Sequence, residues 1–190
     1  MALSLITGTS TSVCSLTEIK DFLRISSTDE DTLLEKLTLT AQQIAENYQG
    51  RTYRTQTWEY EMPSFPLSGE SIELPMGAPL QSVTSIKYYD TDGTETTWSS
   101  TSYHVDIKNE PGKVVLRYGE VYPSDLLQTA NGLVITYVAG STDQASFEKR
   151  NYMTKLWIMN AVSQLYEKRE KDLSEYEFGA LRARRVRGIY

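Results

Sequence analysis

Glu59 and Glu61 stand two residues apart in a stretch that alternates apolar and polar, so on a strand they share one face and have the types of an acid/base carboxylate pair. The same alternation makes them the solvated face opposite Trp58 and Tyr60, and that reading is the stronger. His104 and Asp106 repeat the arrangement. Catalysis or metal binding would need a further converging ligand or nucleophile, and the spacing offers none, so His104 reads as a surface or hydrogen-bonded histidine. Asp90-x-Asp92-Gly93 with Glu95 has some oxygens of a calcium loop but lacks its full spacing and terminal bidentate glutamate; a hairpin turn accounts for it. Cys14 is the single cysteine, which excludes an internal disulfide and a cysteine-based zinc cluster. A nucleophilic role would need a base, and His104 is the single histidine; Cys14 reads as a small semi-buried residue. The glycines lie at turns rather than in a phosphate-binding order. No catalytic, metal-ligating or cofactor-binding set is identified, and no cofactor is implied.

Two features point to binding rather than catalysis. Thirteen tyrosines and three tryptophans are a high aromatic load, explained first by core and interface packing. At the C-terminal end, Arg182, Arg184, Arg185 and Arg187 alternate with Leu181, Val186, Ile189 and Tyr190. A solvated tail or a DNA contact would need only the arginines; the interleaved apolar residues favour an ordered contact with a protein.

The elements that must carry these residues follow from periodicity. Residues 1–14 are rich in Ser and Thr without a period and read as an arm that orders only if something holds it. They have no basic n-region and only a short apolar run, so they are neither a signal peptide nor a membrane span. Ser15-x-x-Glu18 and Ser27-x-x-Glu30 are two capping boxes, each opening an amphipathic helix. The second carries Leu34, Leu37, Ala41, Ile44 and Tyr48 as one stripe ending near Gly50. From Trp58 the period becomes two. Asp92-Gly93 and Asn109-Glu110-Pro111-Gly112 mark hairpins between Val83–Tyr89 and Thr94–Trp98 and between Tyr103–Ile107 and Lys113–Tyr118, and Leu133–Val138 reads as the central strand. From about Ser146 to Lys171 the pattern is helical again and apolar nearly all round, which calls for cover on every side.

The fold class is therefore α+β: a small bundle of two N-terminal helices and a long C-terminal helix, with an inserted antiparallel β domain and an extended C-terminal tail. The segments are 1–52 (arm and helix pair), 53–140 (β domain), 141–172 (long helix) and 173–190 (tail). Trp157, Ile158 and Val162 on the all-round apolar helix are the expected subunit interface, and Ile158→Glu is expected to stop assembly. The net charge of −6 divides unevenly, −10 over residues 1–145 and +4 over 146–190. An acidic body argues against general nucleic-acid binding.

The order of several phrases resembles the head–tail connector (adaptor, head-completion) proteins of long-tailed bacteriophages. Leu16-x-x-x-Lys20-x-Phe22-Leu23-Arg24-Ile25 is followed by an acidic break, a longer helix and Tyr48-x-Gly50-Arg51. Pro79–Ile86 then precedes Tyr88-x-Asp90-x-Asp92-Gly93, with Arg117-Tyr118-Gly119 before Pro123, Tyr137-Val138-Ala139-Gly140, and Leu165–Glu170. One departure is the lack of a proline between Ser141 and Ser146, where many members begin the last helix. The resemblance implies a structural, non-enzymatic virion protein, made in the host cytoplasm and located at the head–tail junction. It implies a homo-oligomeric ring, usually twelve-fold, beneath the portal protein, with a stopper or tail terminator on its tail side. Genomic DNA would pass through without specific binding, and no membrane is involved. The tail from Leu181 to Tyr190 would clamp an acidic surface of the portal, and its removal is expected to leave the isolated fold intact. The alternative is a carbohydrate-binding or enzymatic β-domain protein associated with a phage tail.

Overall fold

A computed structural model describes residues 1–67, 69–124, 127–167, 178–182 and 184–186. The chain divides into a sheet unit, Met1–Gly8 with Thr55–Gly140, and a helical unit, Thr9–Arg54 with the described residues from Ser141 onward. Each has its own apolar core.

The sheet unit holds β1 (Ala2–Thr7), β2 (Gln56–Met62), β3 (Ile72–Glu73), β4 (Leu80–Tyr89), β5 (Glu95–Thr97), β6 (Tyr103–Asp106), β7 (Lys113–Leu116) and β8 (Leu133–Ala139). Five of these form an antiparallel sheet in the order β1-β2-β8-β4-β5, and three form a second, β3-β7-β6. β8 is central, as its apolar, β-branched sequence predicts. Leu133, Ile135, Tyr137 and Ala139 alternate into the core and are buried, while its other face is half-covered. Asp90 accepts hydrogen bonds from the Asp92 and Thr94 amides at 2.9 and 2.8 Å, and Gly93 takes φ 81°, closing β4 onto β5. Residues 2–7, read from sequence as part of an arm that orders only if something holds it, form an edge strand held by β2: Ala2–Leu5 pair in register with Glu61–Trp58, and Leu3 packs on the sheet core.

The helical unit holds α1 (Leu16–Leu23), α2 (Asp31–Gln49), α3 (Gln144–Glu167) and α4 (Gly179–Arg182). α1 opens with the anticipated capping box: Ser15 Oγ accepts from the Glu18 amide at 3.3 Å and Glu18 Oε2 accepts from the Ser15 amide at 2.8 Å. Ser15→Ala should therefore lose about 1 kcal/mol in denaturant-induced unfolding, and an unchanged midpoint would show that the cap does not contribute. The second box does not form. Ser27 Oγ turns to Asp29, Glu30 accepts from the Tyr166 hydroxyl of α3, and Asp31 pairs with Lys20 at 2.6 Å, so α2 starts without a side-chain cap. At the start of α3 the Asp143 carboxylate accepts from the Ser146 amide at 2.7 Å, a side-chain cap. At Asn151 the backbone leaves helical geometry (φ −132°, ψ 27°), and the Asn151 side-chain amide donates to the Phe147 carbonyl at 2.8 Å.

α2 and α3 run antiparallel. Glu30 meets Tyr166 at one end, and at the other Tyr53, just past α2, packs on Phe147 with ring centroids 5.0 Å apart. Beside its apolar stripe α2 buries a polar one, and each member holds an incoming segment. Gln42 Oε1 accepts from Ser12 Oγ and the Val13 amide at 3.0 and 2.9 Å, and Glu46 Oε1 accepts from the Tyr53 amide at 2.7 Å. Gln49 donates to the Leu181 carbonyl at 2.8 Å, and its own carbonyl accepts from the Val186 amide at 2.8 Å.

Candidate interaction surfaces

Glu59 and Glu61 share a face of β2, opposite Ser4 and Ala2 of β1 in the register. His104 is exposed on β6. The Asp106 carboxylate is engaged by the Asn109 side-chain amide and by the Lys108 and Asn109 backbone amides, and these bonds hold it below the usual carboxylate range. It shapes the β6–β7 turn. Cys14 is buried under α3, where desolvation pushes its thiol up to about 12 against the opposing effect of nearby Lys155, so it carries no thiolate at neutral pH. Among the described residues no three His, Cys, Asp or Glu side chains converge as metal ligands, and no helix is long and apolar enough to cross a membrane.

Next to Cys14 lies a charged cluster. Lys155 Nζ is bonded to Glu18 Oε1 of α1 at 2.5 Å and to Glu148 one helical stretch earlier, and Gln144 Nε2 bridges both carboxylates. The Lys155 side chain is only 9% exposed. Burial works against the Lys155 charge, but the two carboxylate bonds outweigh it and hold its pKa above the ordinary lysine value. Burial likewise works against ionised Glu18, and the bonds from Lys155 and Ser15 outweigh it and hold it low. The cluster is half-buried and ties α1 to α3.

The C-terminal segment is anchored where it is described. Leu181 is fully buried in the helical core, and the Phe178 ring stacks on Tyr48 and Trp157 at centroid distances of 4.4 and 5.4 Å. Arg184 donates to the Arg150 carbonyl at 3.1 Å, and Val186 lies half-buried against Gly50. Arg182 and Arg185 are exposed, and the Arg185 guanidinium sits 5.2 Å from the Tyr48 ring centre. The expectation that the whole segment is a tail independent of the fold is corrected for Leu181, whose side chain fills core volume. Arg187, Ile189 and Tyr190 lie outside the described residues.

Trp157, Ile158 and Val162 are also placed inside the helical core and present no outward face. The apolar residues that α3 does expose are Tyr152, Met153 and Leu156, at 68, 61 and 46%. Sequence periodicity missed this division because the cover comes from distant segments: Phe178 stacks on Trp157, and Trp157, Ile158 and Val162 share one cluster with Leu34, Ala41 and Leu181. In the sheet unit, Ile107, Val115, Tyr118 and Val121 are exposed on and after the β6–β7 hairpin. That unit has 4 Lys+Arg against 11 Asp+Glu over residues 1–8 and 55–140, a net −7, and the remaining residues sum to +1.

Comparison with known proteins bears on what these surfaces serve. The family described as "Phage gp6-like head-tail connector protein" matches residues 14–110. No curated protein matches the sequence. Among solved structures, a chain from the "Neck of empty GTA particle computed with C6 symmetry" is similar with a TM-score of 0.79 at 18% identity, over 100% of this chain and 98% of that one. A chain from the "Virion of native gene transfer agent (GTA) particle" is similar at TM-score 0.76 and 20% identity, with the same coverage. A chain from the "Neck of native GTA particle computed with C12 symmetry" gives 0.76 at 18% identity, again over 100% and 98%.

Proposed function

This chain belongs to the phage gp6-like head–tail connector family, and from that membership we propose that it forms a ring at the neck of a virion, beneath the portal, joining head to tail components and continuing the DNA channel. The observation that carries the reading is that the whole chain, both units included, has the fold of proteins from particle necks with C6 or C12 symmetry. The role is structural, and no cofactor enters it. The ring is twelve-fold to match the portal, and its tail-side partner is a stopper or tail terminator.

The electrostatics suit a conduit. A sheet unit of net −7 repels phosphate, so DNA passes without the cation contacts that give tight, salt-dependent binding. The positive charge is concentrated after residue 145, where Arg182 and Arg185 are solvent-facing while Leu181, Arg184 and Val186 fix the backbone that presents them. In this reading Arg182, Arg185 and Arg187 pair with carboxylates of the portal, and Ile189 and Tyr190 are buried against it. Arginine forks pair with carboxylates through two parallel hydrogen bonds.

The test is a double reversal, Arg182→Glu with Arg185→Glu, in the full chain. Co-purification with the cognate portal should fall at least tenfold. Stability should fall only by the Arg185–Tyr48 contact, about 0.5–1 kcal/mol at an exposed site. Full-affinity portal binding by this variant would remove the arginines from the interface.

A further inference from the structure

Two contacts set the C-terminal segment alongside α3. The Phe178 ring stacks on Trp157 at 5.4 Å, and Arg184 Nη1 donates to the Arg150 carbonyl at 3.1 Å. Phe178 thus lies at the Trp157 end of this stretch of α3 and Arg184 at its Arg150 end, the two running in opposite directions with Arg182 in between. The same stretch is where α3 is apolar on its outside. Tyr152, Met153 and Leu156 are 68, 61 and 46% exposed, and after the break at Asn151 they stand at i, i+1 and i+4, on one side of the helix. Leu156 adjoins Trp157 in sequence and Met153 precedes it by one turn, so this side borders the ring that Phe178 covers. Around it the charge has one sign. Lys149 and Arg150 are exposed in the turn before it, and Arg182 and Arg185 are exposed on the segment beside it. From Lys149 to Tyr166 on α3, and among the described residues from Phe178 onward, none is acidic, in a chain whose acids outnumber its bases 25 to 19. The preceding carboxylates, Glu148 and Asp143, are held by Lys155 and by the Ser146 amide.

We propose that this side of α3 is the apolar centre of the contact whose charged edge is Arg182 and Arg185: α3 and the C-terminal segment dock together on one protein surface, an apolar recess rimmed by carboxylates. This rests on the portal reading above and places that recess on the portal. Charge alone would suit an acidic protein or a nucleic acid equally. The apolar centre decides between them. Met153 and Leu156 give a phosphate nothing to bond and a base no ring to stack on, whereas Tyr, Met and Arg are the types enriched where two protein surfaces desolvate each other. The centre also supplies what exposed cations lack. Surface ion pairs contribute little each, so burial of Tyr152, Met153 and Leu156 carries the affinity while the cations fix orientation and reject basic surfaces. The mounting is firm. Leu181 is fully buried and its carbonyl accepts from Gln49 at 2.8 Å, so the segment beside α3 has little left to order on binding.

The experiment titrates full-length variants against the cognate portal. Met153→Gln and Leu156→Gln each remove apolar contact, and Lys149→Glu reverses a cation at the rim. Each should weaken portal binding about tenfold, the scale of a side chain at the centre of an interface. Circular dichroism and sedimentation of the free protein should stay those of wild type. Salt separates the two kinds of contact. Raising it from about 0.05 to about 0.5 M should bring Lys149→Glu towards wild type and leave the Met153→Gln deficit in place. Full-affinity binding by Met153→Gln and Leu156→Gln, with the Arg182/Arg185 reversal still impaired, would overturn the joint surface and leave the portal reading standing. Altered self-association of free Met153→Gln would assign the face to a contact between copies and overturn it likewise. So would a duplex-DNA mobility shift of wild type that Lys149→Glu and Met153→Gln abolish. Absence of portal binding by wild type would instead overturn the portal reading, and this partner with it.

Discussion

Leu181→Ala is expected to lower the stability of the helical unit by about 2–5 kcal/mol, the range for emptying a buried leucine site, and Leu181→Asp to lower it further by adding an unpaired charge. The basis is local and cumulative. Leu181 is fully buried, its carbonyl accepts from Gln49 at 2.8 Å, and Phe178 three residues earlier stacks on Tyr48 and Trp157. Losing the segment would expose those rings and leave the Gln49 amide without its acceptor in a site closed to water. Typical domain stability is about 5–15 kcal/mol, so the aspartate variant should melt many degrees lower or fail to fold. Thermal unfolding followed by far-ultraviolet circular dichroism reads this directly. A melt unchanged by Leu181→Asp would show that the segment does not pack on the core. The same result governs how truncations are interpreted. A shortened chain that fails to bind portal has lost fold as well as arginines, and only the Arg182/Arg185 reversal separates the two.

Lys155→Met should be the next most damaging change, about 1.5–3 kcal/mol at neutral pH, the scale of hydrogen bonds to charged groups. It leaves Glu18 and Glu148, which share one ammonium in the wild type, facing each other in a half-solvated site. The effect has a pH signature. Glu18 and Glu148 are both held below the ordinary carboxylate range in the folded protein. For Glu18 burial opposes this, and the Lys155 and Ser15 bonds prevail; for Glu148 the Lys155 bond leads. Groups with depressed folded pKa values contribute stability that is fully present above the unfolded value, about 4.3, and that is lost as pH falls through the folded value. Wild type should thus lose this contribution on acidification. The variant, whose carboxylates repel each other and protonate early, has none to lose. The stability gap between the two proteins should narrow from pH 6 to pH 3. On the alkaline side the raised Lys155 pKa keeps the cluster intact until pH rises above the ordinary lysine range. A gap that stays constant with pH would show that methionine is tolerated or rejected for its packing alone.

How much of this was legible in the sequence depended on whether the signal was local. The Ser15 capping box, the Asp92-Gly93 turn and the centrality of β8 rest on neighbouring residues or on composition, and they appear as the sequence predicts. The Ser27 box failed because its partners are distant. Glu30 is taken by Tyr166, 136 residues away, and no local pattern encodes that competition. Gln42, Glu46 and Gln49 lie outside the apolar stripe read on α2, yet they are buried and hold three separate segments. Polar residues at core positions are invisible to a hydrophobic period. The strand β1 was missed because a six-residue run of Ala, Leu, Ser, Ile and Thr was weighed as a leader rather than as an edge for β2. On α3 the apolar residues were recognised, but their division between inside and outside was not, since the cover comes from Phe178 and Leu181, far along the chain. Tyr152, Met153 and Leu156, rather than Trp157, Ile158 and Val162, are what the helix offers to a partner.

Electron microscopy of the wild-type chain mixed with its cognate portal tests the central claim most directly. The account predicts a closed ring of this protein seated coaxially on one end of the portal, with an uninterrupted channel through both. Portal particles that remain bare at saturating protein, or protein bound there as isolated copies without a ring, would contradict it.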